Sequence, residues 1–235
     1  MKAIIKDRQP IADGTILIEL DLKGQEYDFT PGQYFFLTLP ELRYEDPKGA
    51  MRHFSIVNSP SQKGILQFAT RLTDSGYKKT LNEIALGTEV EIGNAMGIFG
   101  IPQENTKPVV MIAGGIGITP FVSILRDMHE KEAEHNVRLF YSNRLKKQTA
   151  FLDELQRMDL SDSNMNLILT LTDDPNWAGE VRMVNGEFIK DYVPDYNDCL
   201  FMISGPPAMV ETIYNQLMGL GLSNLDIRTE NFAGY

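Results

Sequence analysis

The chain has 235 residues, 43% of them hydrophobic and 23% charged, with a formal net charge of −10. That length suits one large domain or two small ones, and that charge argues against a general nucleic-acid binder and against an anionic membrane surface. A single cysteine, Cys199, excludes an internal disulfide and a four-thiolate iron–sulfur cluster, and His53, His129 and His135 lack metal-ligand spacing. No apolar run reaches the roughly 18 residues of a membrane span, and MKAIIKDRQP has no apolar signal core, so a cytoplasmic location is expected.

The first hundred residues read as short strands broken by turns. Thr15 to Leu22 alternates apolar and polar residues, and Tyr34 to Leu39 is entered through the Pro31-Gly32 turn pair. RHFSIVNSP, residues 52 to 60, is a short strand carrying a fixed cation, an aromatic and a hydroxyl at Arg52, Phe54 and Ser55. Strand interiors favour apolar and β-branched residues, so this mix points to a planar, anionic ligand. Strands at Leu66 to Arg71 and Glu89 to Ile92 flank a helix over Lys78 to Ala85. The pattern predicts a small antiparallel barrel or sandwich.

After a linker at residues 102 to 107 the rhythm changes. PVVMIAG is an almost continuous apolar run, as in a strand buried on both faces. A helix from Pro120 to Glu132, the strand VRLFYSN, a helix in FLDELQRM and the strand NLILTLT follow. The strand CLFMIS, a helix in MVETIYNQLMGLG and a last strand in LDIRTENF complete the half. Alternating strands and helices predict a doubly wound parallel sheet. Charge divides the same way: residues 1–103 hold 11 bases and 13 acids, residues 104–235 hold 11 and 19. An anionic ligand in the second half must therefore be held locally, by backbone amides and a few bases.

AGGIGITPF, residues 113 to 121, joins the first buried strand to its helix. Gly114, Gly115 and Gly117 permit close approach to the backbone, Thr119 suits an N-cap and Pro120 a first helical residue. Such a helix start offers free N–H groups to a phosphate, although the segment lacks the G-x-G-x-x-G fingerprint. ISGPPAMV, residues 203 to 210, is a second strand-to-helix loop of this kind.

Taken together, these segments resemble the ferredoxin–NADP⁺ reductase superfamily. PGQYFFLTLP, RHFSIVNSP, NAMGIFGI, AGGIGITP, FYSNR, SGPPAMV and ENFAGY resemble seven of its segments, in order, over nearly the whole chain. The resemblance implies an antiparallel flavin-binding β-barrel over residues 1–103. A doubly wound, parallel-sheet NAD(P)-binding domain over residues 104–235 would follow it. It implies a flavin that accepts a hydride from NADPH or NADH, and a phosphate role for the lysine pair Lys78 and Lys79 would make that flavin FAD rather than FMN.

By the same resemblance, Arg52 meets the flavin phosphate, Phe54 packs on the ring and ribityl chain, and Ser55 lies near the flavin N5. Main-chain groups of Ile56 and Asn58 hold the ring edge, with His53 and Thr70 in the same flavin set. Relatives carry a serine in a GxxSxxL segment; here Lys78, Lys79 and Thr80 stand at the expected helix start and suit a pyrophosphate. If that lysine pair is merely solvated, flavin becomes a loosely held substrate.

Phe232 and Tyr235 are the aromatic tail that covers the flavin, and Glu230 lies near the nicotinamide. Gly114, Gly115, Gly117, Thr119 and Pro120 hold the nucleotide, with Ser204, Gly205, Pro206 and Met209 from the second loop. Ser204 replaces the family's cysteine. Ser142, Asn143 and Arg144 are placed at the adenosine. Lack of an acid there, with Lys146 and Lys147 close by, leans to NADPH, while Arg144 stacked on adenine suits NADH equally.

The expected activity is transfer of a hydride from NAD(P)H to FAD, with Ser55, Ser204 and Glu230 at the reacting atoms. Electrons then pass to a separate ferredoxin, flavodoxin or oxygenase component. The alternatives are a free-flavin reductase and a non-catalytic flavin-binding redox subunit or sensor.

Overall fold

The computed structural model describes residues 1–133, 136–161 and 164–232, so Tyr235 and His135 lie outside the described residues. The chain forms two compact units. One is Met1–Gly100 with Thr119–Asp127, the other Ile101–Ile118 with Met128–Tyr235.

In the first unit six antiparallel strands order as β4-β3-β6-β1-β2-β5. They are β1 (Lys2–Ala12), β2 (Thr15–Asp21), β3 (Tyr34–Thr38), β4 (Met51–Ser55), β5 (Ile65–Arg71) and β6 (Glu89–Ile92). Just past β4, Val57 N donates to Gln67 O at 2.8 Å, joining the two edges of the sheet into a barrel-like form. The eight-residue helix α1 (Gly76–Glu83) lies between β5 and β6. The interior holds Phe35, Phe54, Phe68 and Tyr77, each no more than 2% exposed. Burying such a ring contributes roughly 1.5–3 kcal/mol.

Strand β1 was not anticipated. Its sequence carries Pro10 among charged residues, yet Pro10 pairs with Ile16 between two register shifts, where a missing N–H is tolerated. Helix α1 starts two residues earlier than the apolar spacing suggested, because Ser75 accepts a hydrogen bond from Lys78 N and caps it. Thr80 is consequently mid-helix, not at its start.

The second unit carries five parallel strands in the order β11-β10-β7-β8-β9. They are β7 (Val109–Gly114), β8 (Val137–Asn143), β9 (Met165–Leu171), β10 (Leu200–Gly205) and β11 (Ile227–Asn231). All six residues of β7 and of β10 are buried. Helices α3 (Leu152–Ser161), α4 (Gly186–Tyr192) and α5 (Pro207–Gly219) belong to this unit. The short α4 was not anticipated; Asn185 caps it through Phe188 N at 2.8 Å, a signal easily read as a turn.

Helix α2 (Thr119–Glu130) follows β7 in sequence, and its residues Thr119–Asp127 belong to the first unit. Ser123 donates to Asn58 O at 2.9 Å and Phe121 meets Phe99 at 5.5 Å between ring centres. A 3-10 turn over Gly115–Ile118 runs straight into this helix. Thr119 is therefore inside the helical run and not its N-cap, and Pro120 is its second residue. Among the described residues no helix is long and apolar enough to cross a membrane.

Candidate functional site

In the first unit, β4 sends Arg52 and Phe54 to one side and His53 to the other, as the period of a strand dictates. Phe54 lies in the core, 4.4 Å from the Phe68 ring. His53 is exposed and packs on Tyr34 and Phe36, at 5.4 and 5.9 Å. Ser55 is 4% exposed.

Arg52 is held by the loop before it and by the first residue of its own strand. It donates to the carbonyls of Lys48, Gly49 and Met51 and to Asp46 Oδ1 at 2.6 Å. Its guanidinium stands 4.9 Å from the centre of the Tyr77 ring. The Asp46 side chain is 2% exposed, and its Oδ2 accepts from Tyr77 N, in the first turn of α1, at 2.9 Å. The Tyr77 amide first, then the Lys48 amide and Arg52, hold the Asp46 carboxyl below the usual carboxylate range against the effect of burial. An arginine and a helix N-terminus thus converge on an anion, and that anion is the chain's own carboxylate. Sequence reading missed Asp46, because an acid before Pro47-Lys48-Gly49 looks like an ordinary turn residue.

The lysine pair divides. Lys79 is exposed and lies 3.5 Å from Asp74. Lys78 is 5% exposed, donates to Thr70 Oγ1 and sits 4.8 Å above the centre of the Phe54 ring. Burial, with the nearby Arg52 charge, pushes its ammonium down to about 7. Thr80 Oγ1 accepts from Arg43 N at 3.0 Å, which leaves it tied to the β3–β4 loop. Ile56 N donates to Gln33 O, and the Asn58 amide bonds to the main chain of Ser59, Ile65 and Gln67. The donor set of this unit (a guanidinium, an ammonium, a helix start and the Ser55 and Thr70 hydroxyls) has the chemistry a flavin phosphate needs. Asp46 shows that the place holds an anion.

In the second unit the strand order reverses between β7 and β10, and both glycine loops leave the sheet at that point. Open parallel sheets bind their ligands there. The two loops, read separately in the sequence, touch. A Cβ on Gly117 would lie 2.5 Å from Ser204 O, and one on Gly114 would lie 2.3 Å from Met209 Sδ and 3.0 Å from Pro206 Cδ. Gly205 packs against the Gly114 backbone, while Gly115 takes φ +54° facing open space.

Three buried side-chain atoms have no hydrogen-bond partner among the described residues: Asn143 Nδ2, Ser204 Oγ and Glu230 Oε2. Ser204 and Glu230 are register partners on β10 and β11. Burial pushes the Glu230 carboxyl up to about 7. Unpaired buried polar atoms cost free energy, so the neighbouring Ser204 and Glu230 atoms, with Asn143 at the end of β8, fit a polar ligand such as a nicotinamide nucleotide. Phe232 is buried, with its N–H on Gly205 O at 2.9 Å.

At the end of β8, Ser142 is half-buried and Arg144 is exposed. Residues 142–147 carry no acid of their own, but two acids reach them from beyond the next strand. Asp173, past the end of β9, accepts from Arg144 Nε at 2.6 Å, and Asp174 accepts from Lys146 N at 2.8 Å. Strand adjacency brings in acids some thirty positions along, which spacing within one segment cannot reveal. Cys199 is fully buried and burial pushes its thiol up to about 11, consistent with a small core filler.

The chain matches two family models: an oxidoreductase FAD-binding domain over residues 2–100 and an oxidoreductase NAD-binding domain over residues 111–215. It thus carries an oxidoreductase FAD-binding domain followed by an oxidoreductase NAD-binding domain, in the two-domain fold of the ferredoxin reductases. It is 27% identical over 215 residues to the reductase component of propane 2-monooxygenase from Rhodococcus jostii, covering 88% of this chain and 56% of that protein. It is 28% identical over 236 residues to the phenol hydroxylase P5 protein of Acinetobacter pittii, covering 97% and 63%. The structure of a cytochrome P450 reductase from Amycolatopsis superposes with a TM-score of 0.85 at 25% identity, over 99% of this chain and 70% of that one. A ferredoxin NADP⁺ reductase from Neisseria gonorrhoeae, solved with FAD and NADP, shares the fold, with a TM-score of 0.80 at 22% identity over 98% of both chains. The chain thus spans less than two thirds of the two curated relatives' length.

Proposed function

We propose that this chain oxidises NADPH or NADH and passes the electrons through FAD to a separate acceptor. The observation that carries the reading is the pair of register neighbours Ser204, fully buried on β10 beside the strand-order reversal, and Glu230, half-buried on β11, each with a buried side-chain oxygen that has no partner among the described residues. Bound FAD would supply a hydride acceptor that can release its electrons singly. The chain's own residues supply placement. Ser204 Oγ and Asn143 Nδ2 orient the nucleotide, and the Glu230 carboxyl, pushed up to about 7 by burial, can take up or release a proton near neutral pH. Arg52, Lys78 and the start of α1 take the flavin phosphate, and the Ser55 hydroxyl addresses the ring.

We assign the flavin role to residues 1–103 and the nucleotide role to residues 104–235, and a cytoplasmic location. Names such as "reductase component" among the relatives support an oxygenase component or ferredoxin as acceptor. A second reading, with free flavin as the acceptor, is favoured by one observation: Asp46 already fills the anion position beside Arg52.

The test is loss of reduced-nicotinamide absorbance with NADH and with NADPH, each with and without added FAD and a one-electron acceptor. FAD-dependent oxidation that speeds up with the acceptor is expected. Oxidation of neither nucleotide under any condition would sink the reading.

A further inference from the structure

The Arg52 anion position is filled by the loop that precedes Arg52. Two of the guanidinium's acceptors are carbonyls of that loop, Lys48 and Gly49, a third is the Met51 carbonyl at the start of β4, and the fourth is Asp46. The loop also lies on the first residue of α1: a Cβ on Gly76 would stand 2.3 Å from Glu45 O and 2.6 Å from Tyr44 O. A phosphate that reaches both Arg52 and the Tyr77 amide must take the place of the carboxylate, because two anions at one desolvated position repel. We infer that Asp46 is an internal competitor for the flavin phosphate, so that this chain holds flavin as an exchangeable ligand. The inference rests on the proposed flavin role of Arg52.

The competitor is tethered a few residues from Arg52, so its effective concentration is high whatever the flavin concentration. The apparent affinity falls by the fraction of chains whose loop is open. Riboflavin carries no phosphate and does not meet this competition. FMN and FAD do. Phosphate-dependent weakening is the signature that separates an internal competitor from a loop that merely supports Arg52.

The experiment is a fluorescence titration of the flavin-free full chain with riboflavin, FMN and FAD. Wild type, Asp46→Asn and Asp46→Ser are compared, the serine keeping an acceptor for Tyr77 N–H. Both variants are expected to bind FMN and FAD about tenfold tighter than wild type, with riboflavin unchanged. Weaker or unchanged FMN binding in the variants overturns the inference alone, and makes Asp46 a residue that positions Arg52. An equal gain for riboflavin also overturns it, since the effect is then not at the phosphate. If wild type and variants bind none of the three, the flavin reading falls and the inference with it. A readout on wild type alone guards against misfolded variants: saturating FMN should speed amide exchange over residues 44–49, and unchanged or slower exchange contradicts displacement.

Discussion

The two units prepare for ligands in opposite ways. In the first, the polar groups assigned to flavin already have partners from the chain itself: Arg52 with Asp46, Lys78 with Thr70, Thr80 with Arg43 and Asn58 with main chain. In the second, Asn143, Ser204 and Glu230 keep buried atoms without partners among the described residues. A site whose groups are already partnered must exchange those contacts to bind. An unsatisfied site costs free energy in the free protein and regains it with ligand. Flavin affinity should therefore rest on displacement, and nucleotide affinity on preorganisation.

Four substitutions sharpen or break that contrast. The largest effect is expected from Gly117→Ala. Its Cβ would meet the Ser204 carbonyl at 2.5 Å, both sides being backbone. Thermal denaturation should show a loss of about 2–4 kcal/mol, and titration should show weaker nucleotide binding. A fully stable variant would mean that the two loops are not held together.

Lys78→Met should next stabilise the flavin-free chain by about 1–3 kcal/mol near pH 7, since it removes a buried ammonium. The folded pKa of Lys78, about 7, lies below its ordinary 10.5, so the unfolded chain binds the extra proton between them. Wild-type stability should rise with pH across that window, and the variant should lack this rise. FMN affinity should fall in the same variant.

Glu230→Gln works with the opposite sign. The folded pKa, about 7, lies above the ordinary 4.5, so the fold binds the extra proton. Its stabilising contribution is complete below about 4.5 and is lost as pH rises to about 7. Denaturation curves across this range should flatten in the variant by about 1–2 kcal/mol. The smallest effect belongs to Lys79→Ala, an exposed lysine beside a fully exposed Asp74. Stability should stay within about 0.5 kcal/mol and FMN affinity should not change. A large loss of FMN binding would return the phosphate role to the outer lysine.

Much of this was legible in the residues. The change from period-two strands to buried apolar runs marked the two architectures, because a parallel sheet covered on both faces cannot alternate. The glycine loops were visible as loops, but their mutual contact depends on the strand order, which no local pattern encodes. Lys78 and Lys79 are adjacent and chemically identical in sequence. Only the Ser75 cap, which sets the phase of α1, sends one inward and one outward. Asp46 and Asp173 were missed for one shared reason. Each acts on an arginine through a turn or a neighbouring strand, at a spacing that carries no motif. Strand β1 was hidden by Pro10, which its bulged pairing tolerates.

The most direct test of the central claim is an anaerobic absorbance titration of the chain with one equivalent of FAD, adding NADPH and then NADH. The oxidised flavin band should bleach with at least one of them, and Glu230→Gln should change the pH dependence of that bleaching near neutrality. A band that persists with both nucleotides, on protein shown to have bound its FAD, would contradict hydride transfer and leave a flavin-binding redox subunit.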